Sequence, residues 1–284
     1  MKAGVWFNGA DLKGVRIPGA DLRGAQFDSA DLWEADLTDV NFSKAWLRHA
    51  NLNKAQMERV QCGEHPYLEV RMLVSKYEFA SDGTLLAVST QDDMICIYET
   101  DEWELVAEYP GTSAIAVSPI ARELARGSFG GTVEVGNIFT RKPRLTLRGH
   151  DAVVTCISYS CDGTLIATGS EDATIRIWSA ETGETLRVLR EHQDVVHCVR
   201  FSPHGNRLLS ASKDTTVQSW DVKTGKHLGI IGHHVEPMRT VAYSPDGCQF
   251  ATSGDEFHIR LWDADTREWL RTLMGHRLTV LDLS

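Results

Sequence analysis

The chain has 284 residues, of which 42% are hydrophobic and 24% are charged, and its formal net charge is −10. These values are typical of a globular protein with one large or two modest domains. No apolar run approaches the length of a membrane span, and the first residues lead into no signal-like apolar core. We therefore expect a soluble protein that has no membrane partner.

The acidic charge lies in the second part of the chain. Residues 1–60 contain eight Lys and Arg and eight Asp and Glu, which cancel, so the remainder carries the whole charge of −10. Binding to a phosphate backbone draws on clustered Lys and Arg. The charge balance therefore argues against a nucleic-acid partner.

The six cysteines form no CxxC pair. Cys156 and Cys198 stand 42 residues apart, at the same position of a repeat described below, which favours small buried apolar residues over metal ligands. No four-ligand spacing of His and Cys is present. We expect no metal and no cofactor, and a reducing, cytoplasmic compartment.

Residues 1–60 repeat every five residues. A large apolar residue recurs without a break from Phe7 to Met57, and an Ala or Val comes two residues before each. A period of five matches neither the helical 3.6 nor the strand 2.0. It suits a coil that turns a corner every five residues and points one large and one small side chain inward. The residue between them is usually Asp or Asn, which can bond nearby backbone groups at each bend.

This pattern resembles the pentapeptide-repeat family, whose repeat reads Ala-(Asp/Asn)-Leu and two variable residues. Matching segments begin at Ala10, Ala20, Ala30, Ala35 and Ala50. The resemblance implies a short right-handed quadrilateral β-helix over residues 1–60, with four pentapeptides per coil. We expect residues 61–73 to cap it and to link it to the next domain. Some members of the family mimic DNA, but that role requires a long, strongly acidic coil, which residues 1–60 do not supply.

A second period, of 42 residues, organises residues 74–284. It relates two series of residues: His150, His192, His234 and His276, and Trp178, Trp220 and Trp262. Such self-similarity indicates an array of one supersecondary unit. Between Val153 and Leu189 four short alternating or apolar stretches predict four strands per unit. Two earlier units are degenerate, with Tyr98 and Gly136 at the tryptophan position.

These units resemble WD40 repeats. They carry Gly-His at one end, a turn of the Ser-Pro-Asp-Gly type, and Ile-Arg-Ile-Trp or Ile-Arg-Leu-Trp-Asp at the other end. The resemblance implies one four-stranded antiparallel blade per repeat in a β-propeller. Five repeats precede His276, and the residues after it align with the first strand of a sixth. We therefore expect an all-β protein with an incomplete propeller over residues 74–284, either a fragment of a longer chain or a truncated gene product, that exposes an apolar blade face.

The resemblance assigns a buried hydrogen-bonded tetrad to the third, fourth and fifth repeats. The members are His150, Thr168, Asp172 and Trp178; His192, Ser210, Asp214 and Trp220; and His234, Thr252, Glu256 and Trp262. Glu256 departs from the family's aspartate. A His, Ser and Asp set could also indicate a hydrolase, but an active site is needed once, whereas a structural bond is needed in every blade. We therefore predict a structural role and no catalytic residues.

The resemblance to WD40 repeats implies that the propeller binds partners at its narrow top face. There we expect the residue before each tetrad acid and one residue near the start of each first strand: Glu171, Lys213, Asp255, Thr155, His197 and Arg239. This mixed polar set suggests a protein or peptide partner. A solvated rim without a partner is the alternative.

The sequence thus predicts a non-catalytic protein-interaction scaffold or ligand-sensing module within a larger signalling protein. Pentapeptide repeats followed by WD40 repeats resemble the C-terminal part of NACHT-type (STAND) NTPases, notably fungal ones. The chain has no Walker A motif, so an upstream NTPase domain would lie outside it. A substrate-recruiting adaptor of a ubiquitin-ligase complex would need an F-box-like helix, and a propeller enzyme would need a non-repeated carboxylate cluster or metal site. The sequence indicates neither.

Overall fold

The computed structural model describes residues 6–60 except 28, 43–44 and 46–49, residues 74–275 except 102, and residues 279, 280 and 283. Two compact units divide the chain, Met1–Glu69 and Val70–Ser284. The described residues form strands, bridges and turns, and among them no helix is long and apolar enough to cross a membrane. The cap predicted for residues 61–73 lies outside the described residues.

The first unit turns at every fifth residue. A backbone hydrogen bond closes each turn; the N–H of Ala10, for example, donates to the carbonyl of Phe7 at 3.0 Å. One residue per turn has a left-handed conformation, with φ between 54° and 69°: Gly9, Gly14, Gly19, Gly24, Ser29, Glu34, Asp39, Lys54 and Arg59. Glycine adopts this conformation freely, whereas each L side chain there costs about 1–2 kcal/mol.

Parallel bridges join residues of this unit that are 20 positions apart, which is four pentapeptides. The bridged pairs are Trp6–Gln26, Asp11–Asp31, Arg16–Asp36, Asp21–Asn41, Asp31–Asn51 and Asp36–Gln56. As the sequence predicts, Asp and Asn side chains bond the backbone at the bends: Asp31 accepts the N–H of Trp33 at 3.1 Å. The large and small apolar residues point inward, and Leu32 and Val40 are fully buried.

The second unit contains five four-stranded antiparallel sheets, each made of consecutive strands. It is therefore a five-blade β-propeller, as the repeats predict. Blade 1 comprises β1 (Val74–Phe79), β2 (Leu85–Thr90), β3 (Met94–Glu99) and β4 (Leu105–Pro110), and blade 2 comprises β5 (Ile115–Val117), β6 (Glu123–Gly127), β7 (Thr132–Asn137) and β8 (Pro143–Arg148). Blade 3 comprises β9 (Val154–Tyr159), β10 (Leu165–Ser170), β11 (Ile175–Ser179) and β12 (Thr185–Leu189).

The two remaining blades continue the same order. Blade 4 comprises β13 (Val196–Phe201), β14 (Arg207–Ser212), β15 (Thr216–Asp221) and β16 (His227–His233), and blade 5 comprises β17 (Met238–Tyr243), β18 (Gln249–Gly254), β19 (Ile259–Asp263) and β20 (Trp269–Leu273). The first strands of consecutive blades contact one another, so they line the propeller axis.

Blades pack face to face through repeated apolar positions. In blade 3, Ala167, Ile175 and Ile177 are at most 1% exposed and pack against Phe201 and Trp220 of blade 4. Burial of apolar area at about 25 cal/mol per Å² makes these interfaces the main source of stability. The side chains at these positions alternate along each strand, which explains the period of two in the sequence.

The two outermost faces are less well covered. Tyr77 and Phe79 of blade 1 are 42% and 50% exposed, whereas Val199 and Phe201, at the same positions of blade 4, are 0% and 8% exposed. Val280 is only 9% exposed, at the position where the sequence predicts the first strand of a sixth repeat. The described residues there carry no strand, so that detail stays a prediction.

Blade 2 keeps the strand pattern without a tetrad. Gly136 takes the tryptophan position, and a side chain there would meet the carbonyl oxygen of Lys142 at 2.5 Å. Arg126, at the hydroxyl position, pairs with Glu134 at 2.5 Å and lies over the ring of Tyr109 from blade 1, 5.1 Å from its centroid. Tyr109 in turn donates to a carbonyl of blade 2, that of Ile138. These contacts join blades 1 and 2 where the tetrad is absent.

Replacing Leu32 with Ala tests the core of the first unit. Because Leu32 is fully buried, the truncation should cost about 2–5 kcal/mol. Hydrogen exchange at the amide of Leu12, which donates across the bridged coils to Asp31 at 2.8 Å, should then accelerate. Leu52→Ala is the matched control and should have a smaller effect, since Leu52 is half-buried. Unchanged exchange in Leu32→Ala would contradict the inward packing.

Candidate functional site

A chain of hydrogen bonds links four side chains in blade 3. The indole N–H of Trp178 donates to the hydroxyl of Thr168 at 2.9 Å, and this hydroxyl lies 2.7 Å from Nε2 of His150. Nδ1 of His150 lies 2.8 Å from Oδ2 of Asp172. Since an indole N–H can only donate, the hydroxyl accepts this bond and donates its own O–H to Nε2, which leaves Nδ1–H to donate to the carboxylate.

Asp172 is held by the hairpin between β10 and β11. Its Oδ1 accepts the hydroxyl of Thr174 at 2.6 Å and the N–H of Thr174 at 2.8 Å. Its Oδ2 also accepts the N–H of Asp151 at 3.0 Å. The carboxylate therefore ties the segment that enters the blade to a hairpin at the same end.

Blade 4 repeats this geometry. Trp220 donates to Ser210 at 2.8 Å, Ser210 lies 2.7 Å from Nε2 of His192, and Nδ1 of His192 lies 2.7 Å from Asp214. Thr and Ser are interchangeable at this point because only the hydroxyl takes part in the chain.

Blade 5 has a looser version. Trp262 donates to Thr252 at 2.9 Å, but Thr252 and Glu256 each lie 3.4 Å from the imidazole of His234. The longer side chain of Glu256 also accepts from Arg260 at 2.6 Å. The departure from aspartate at this position thus lengthens both bonds to the histidine.

Burial sets the charge state of these groups. It lowers the pKa of His150, although the bond to Asp172 opposes the shift. Burial would raise the pKa of Asp172, but the bonds from Thr174 and His150 outweigh it and bring the pKa to about 2. Burial likewise lowers the pKa of His234, and the cation of Arg260 adds to the effect. At neutral pH His150 and His234 are therefore neutral and Asp172 is ionised.

The hydroxyls of this network are closed to substrates. Thr168, Ser210 and Thr252 are each 0% exposed. A nucleophile must reach the substrate it attacks. The geometry therefore favours the structural interpretation of the tetrads over a hydrolase.

A second site lies at one end of the propeller axis, which we call the mouth. It is a cavity of about 240 Å³, and its lining residues are Ser75, Lys76, Ser113, Thr155, His197, Cys198, Arg239 and Thr240. All five blades contribute to it. The mouth brings together three of the six predicted partner-binding residues, Thr155, His197 and Arg239.

The other three residues lie on the hairpins between the second and third strands. Glu171 and Lys213 are exposed, and Lys213 pairs with Asp194 at 3.6 Å. Asp255 is half-buried and holds the guanidinium of Arg239 through two bonds of 3.0 and 2.9 Å. Asp255 therefore supports the mouth instead of being displayed on a free rim.

Arg239 also lies close to a histidine. Its Nη1 is 3.3 Å from Nε2 of His197. Burial lowers the pKa of His197, and the neighbouring Arg239 cation lowers it further. The imidazole is thus neutral and can accept a hydrogen bond from the guanidinium.

The remaining lining residues of the mouth are not among the residues predicted from the sequence. Ser113 could have been found, because it stands 42 residues before Thr155. Lys76 is harder to predict from the repeat pattern, because it lies at a register shift of β1 in the degenerate first repeat. Cys198 and Thr240 follow predicted site residues directly in the sequence.

The opposite end of the axis holds a cavity of a different kind. Its volume is about 360 Å³, and aromatic residues at the ends of the first strands line it: Phe79, Tyr159, Phe201 and Tyr243. Within the part of the chain that the structure describes, no group of three or more His, Cys, Asp and Glu could hold a metal ion.

Comparison with known proteins identifies both kinds of repeat. Residues 141–179, 183–221 and 225–263 match the family model of the WD domain, G-beta repeat, and residues 7–43 and 25–61 match that of pentapeptide repeats. The chain therefore carries WD40 and pentapeptide repeats. It is 32% identical over 101 residues to the WD repeat-containing protein SL1-17 of Schistosoma mansoni. That match covers 34% of this chain and spans 34% of the relative's length.

Thr168→Val should destabilise the propeller more than Thr252→Val. The substitution at 168 strands the indole N–H of Trp178 and Nε2 of His150, at about 1–3 kcal/mol for buried groups left without a partner. In blade 5 the bond to the histidine is already 3.4 Å long, so less is lost. Urea unfolding of both variants measures the difference, and a larger loss in Thr252→Val would contradict the account of the looser blade.

Acidification should destabilise the propeller below pH 6.5. The folded-state pKa of His150 and of His234 lies below the ordinary 6.5, so the unfolded chain binds more protons in this window. The stabilisation is full above pH 6.5 and is lost as the pH falls toward the folded-state values, by up to about 1.4 kcal/mol per pH unit for each histidine. Asp172 adds a loss only between its ordinary pKa of 3.8 and about 2.

Urea unfolding at pH 7.5, 6.5 and 5.5 measures this dependence. His150→Asn, which removes one titrating group, should flatten the slope of unfolding free energy against pH. A free energy of unfolding that is constant or rises on acidification would contradict the neutral state of the buried histidines.

Proposed function

We propose that the propeller is a non-catalytic protein-interaction scaffold whose partner docks at the mouth and at its rim, which is formed by the exposed Glu171 and Lys213. One observation carries this proposal. Positions that hold the blades together carry like residues in successive repeats, whereas equivalent positions at the mouth differ, with Thr155, His197 and Arg239 in blades 3, 4 and 5. A purely structural position has no need of such variety, but recognition of an asymmetric partner does.

The family of the repeats supports a protein partner. The three WD40 matches cover blades 3 to 5, and propellers of this kind generally bind proteins. The polar lining of the mouth and the exposed, oppositely charged Glu171 and Lys213 beside it suit the wet, hydrogen-bonded rim of a protein interface.

The tetrads take a supporting role in this proposal. They hold the hairpins that carry Glu171, Lys213 and Asp255, because each tetrad acid is the next residue along the chain. A rigid element places a binding residue more reproducibly than a free loop does. The buried hydroxyls are thus assigned to stability and not to catalysis.

For the first unit we propose a right-handed quadrilateral β-helix over residues 1–60, joined by residues 61–73 to the propeller of residues 74–284. The 20-residue spacing of the parallel bridges and the fully buried Leu32 and Leu37 support it. The pentapeptide matches end at residue 61.

The wider setting stays a prediction. A larger signalling protein with an upstream NTPase domain rests on the order of the two repeat types alone. The cytoplasmic location is supported by the free thiols of Cys96, Cys156, Cys161, Cys198 and Cys248, which suit a reducing compartment.

Charge reversal on the rim tests the docking proposal. The full chain that carries both Glu171→Lys and Lys213→Glu is compared with the wild type by cross-linking capture of partners from extract. We expect the amount of captured partner to fall at least tenfold in this variant. Lys223→Glu, an exposed lysine on the hairpin between β15 and β16, is the matched control and should retain wild-type levels. Equal melting temperatures establish that all variants are folded. If the partners bound are the same in amount and kind for the rim variant, the mouth and rim are not the docking surface.

A further inference from the structure

The mouth differs in charge from the rest of the propeller. The chain carries a net charge of −10, yet the residues that line the mouth include two cationic side chains, Lys76 and Arg239, and no carboxylate. Hydroxyl groups make up much of the remainder. A concave site of this composition attracts an acceptor-rich anion, because both of its charged side chains are cations and its serine hydroxyls can donate.

Lys76 is the cation that is available to a ligand. It lies on β1 and is half-buried. Among the described residues it forms no ion pair, whereas the guanidinium of Arg239 is matched by Asp255 at 2.9 Å. The charge of Lys76 also reaches blade 3: burial raises the pKa of the Cys156 thiol, and Lys76 opposes this shift.

Arg239 adds directed donors. The two bonds to Asp255 and the contact with His197 fix its orientation and use one N–H on each nitrogen. A guanidinium has five N–H donors, so two are left. These donors are held in place before any ligand binds, which reduces the entropy lost on binding.

Hydroxyls complete the set on the other side of the mouth. Ser75 comes from blade 1 and Ser113 from blade 2, whereas the hydroxyl of Thr155 already donates to the backbone carbonyls of Gly169 and Val196. Ser113 is exposed. Hydroxyls both donate and adjust their direction, so they suit an anion with several oxygen atoms.

We propose that the mouth binds an anionic side chain, a carboxylate or a phosphate, of a peptide segment in the partner. The anion lies between Lys76 and the guanidinium of Arg239 and accepts from the hydroxyls of Ser75 and Ser113. The inference rests on the proposed docking at the mouth and names the chemistry that is recognised there. A cavity of about 240 Å³ accepts one side chain. A nucleic-acid backbone is disfavoured because it requires a cluster of cations spread over a surface.

Fluorescence anisotropy with the full chain tests the proposal. The probes are fluorescein-labelled peptides of one length: one with six glutamates, one with a single phosphoserine in a Gly-Ser background, the same background without phosphate, and one with six lysines. A labelled single-stranded oligonucleotide is a further probe. We expect saturable binding of the glutamate or the phosphoserine peptide, and the arm that binds more tightly distinguishes carboxylate from phosphate. Inorganic phosphate should compete, and binding should weaken with added salt.

Two matched lysine variants locate the binding. Lys76→Glu should weaken binding of the anionic peptide at least tenfold, whereas Lys223→Glu, an exposed lysine outside both the mouth and its rim, should change it less than twofold. Lys76→Gln should give an intermediate loss, because it removes the cation without reversing it. Equal melting temperatures show that each variant is folded.

Three results would overturn the inference. They are an absence of saturable binding by any anionic peptide, equal losses in Lys76→Glu and Lys223→Glu, and tighter binding of the oligonucleotide than of either peptide. Failure here is distinct from failure of the docking proposal. If Glu171→Lys with Lys213→Glu still abolishes partner capture but no anionic peptide binds, only the proposed anionic chemistry is wrong. If an anionic peptide binds but partner capture is unchanged in that double variant, only the proposed protein docking is wrong.

Discussion

In blades 3 and 4 an indole N–H, a hydroxyl, an imidazole and a carboxylate bond in sequence within a site closed to water. The tryptophan lies on the third strand, the hydroxyl on the second, the histidine before the first, and the carboxylate in the hairpin that joins the second and third. One network therefore connects the segment before the first strand, the second and third strands, and the hairpin between them. Leaving any member unpaired would strand a buried polar group, so the elements are held together cooperatively.

The other blades show what replaces this network when its members change. In blade 1, Val88 takes the hydroxyl position and Tyr98 the tryptophan position, and both are buried. In blade 2, Arg126 and Tyr109 join the sheet to its neighbour. In blade 2, contacts between blades therefore take over part of the role of the bonds within a blade. The blades that form the mouth are thus stabilised by contacts outside it. The residues that line the mouth are therefore not needed for this role and can differ from blade to blade.

Much of this arrangement could be predicted from the sequence. The 42-residue period predicts the strands of blades 3 to 5, and the resemblance to WD40 repeats implies the tetrad of His150, Thr168, Asp172 and Trp178. Tyr109 was not predictable as the residue that reaches Arg126, since the contact crosses between blades and Arg126 replaces the hydroxyl that the later repeats carry at its position. Asp255 was expected on a free rim, but its bonds to Arg239 depend on the direction of two side chains, which no spacing reveals. Lys76 was missed for a similar reason, because the first repeat is degenerate.

The central claim is that the four side chains of each tetrad form a coupled structural network. A double-mutant cycle with Trp178→Phe, Thr168→Val and the pair measures this coupling in the free energy of unfolding. We expect an interaction free energy of at least about 1 kcal/mol, because either single substitution strands the partner group that the other removes. Free energies that simply add, with no coupling between the two positions, would contradict the account.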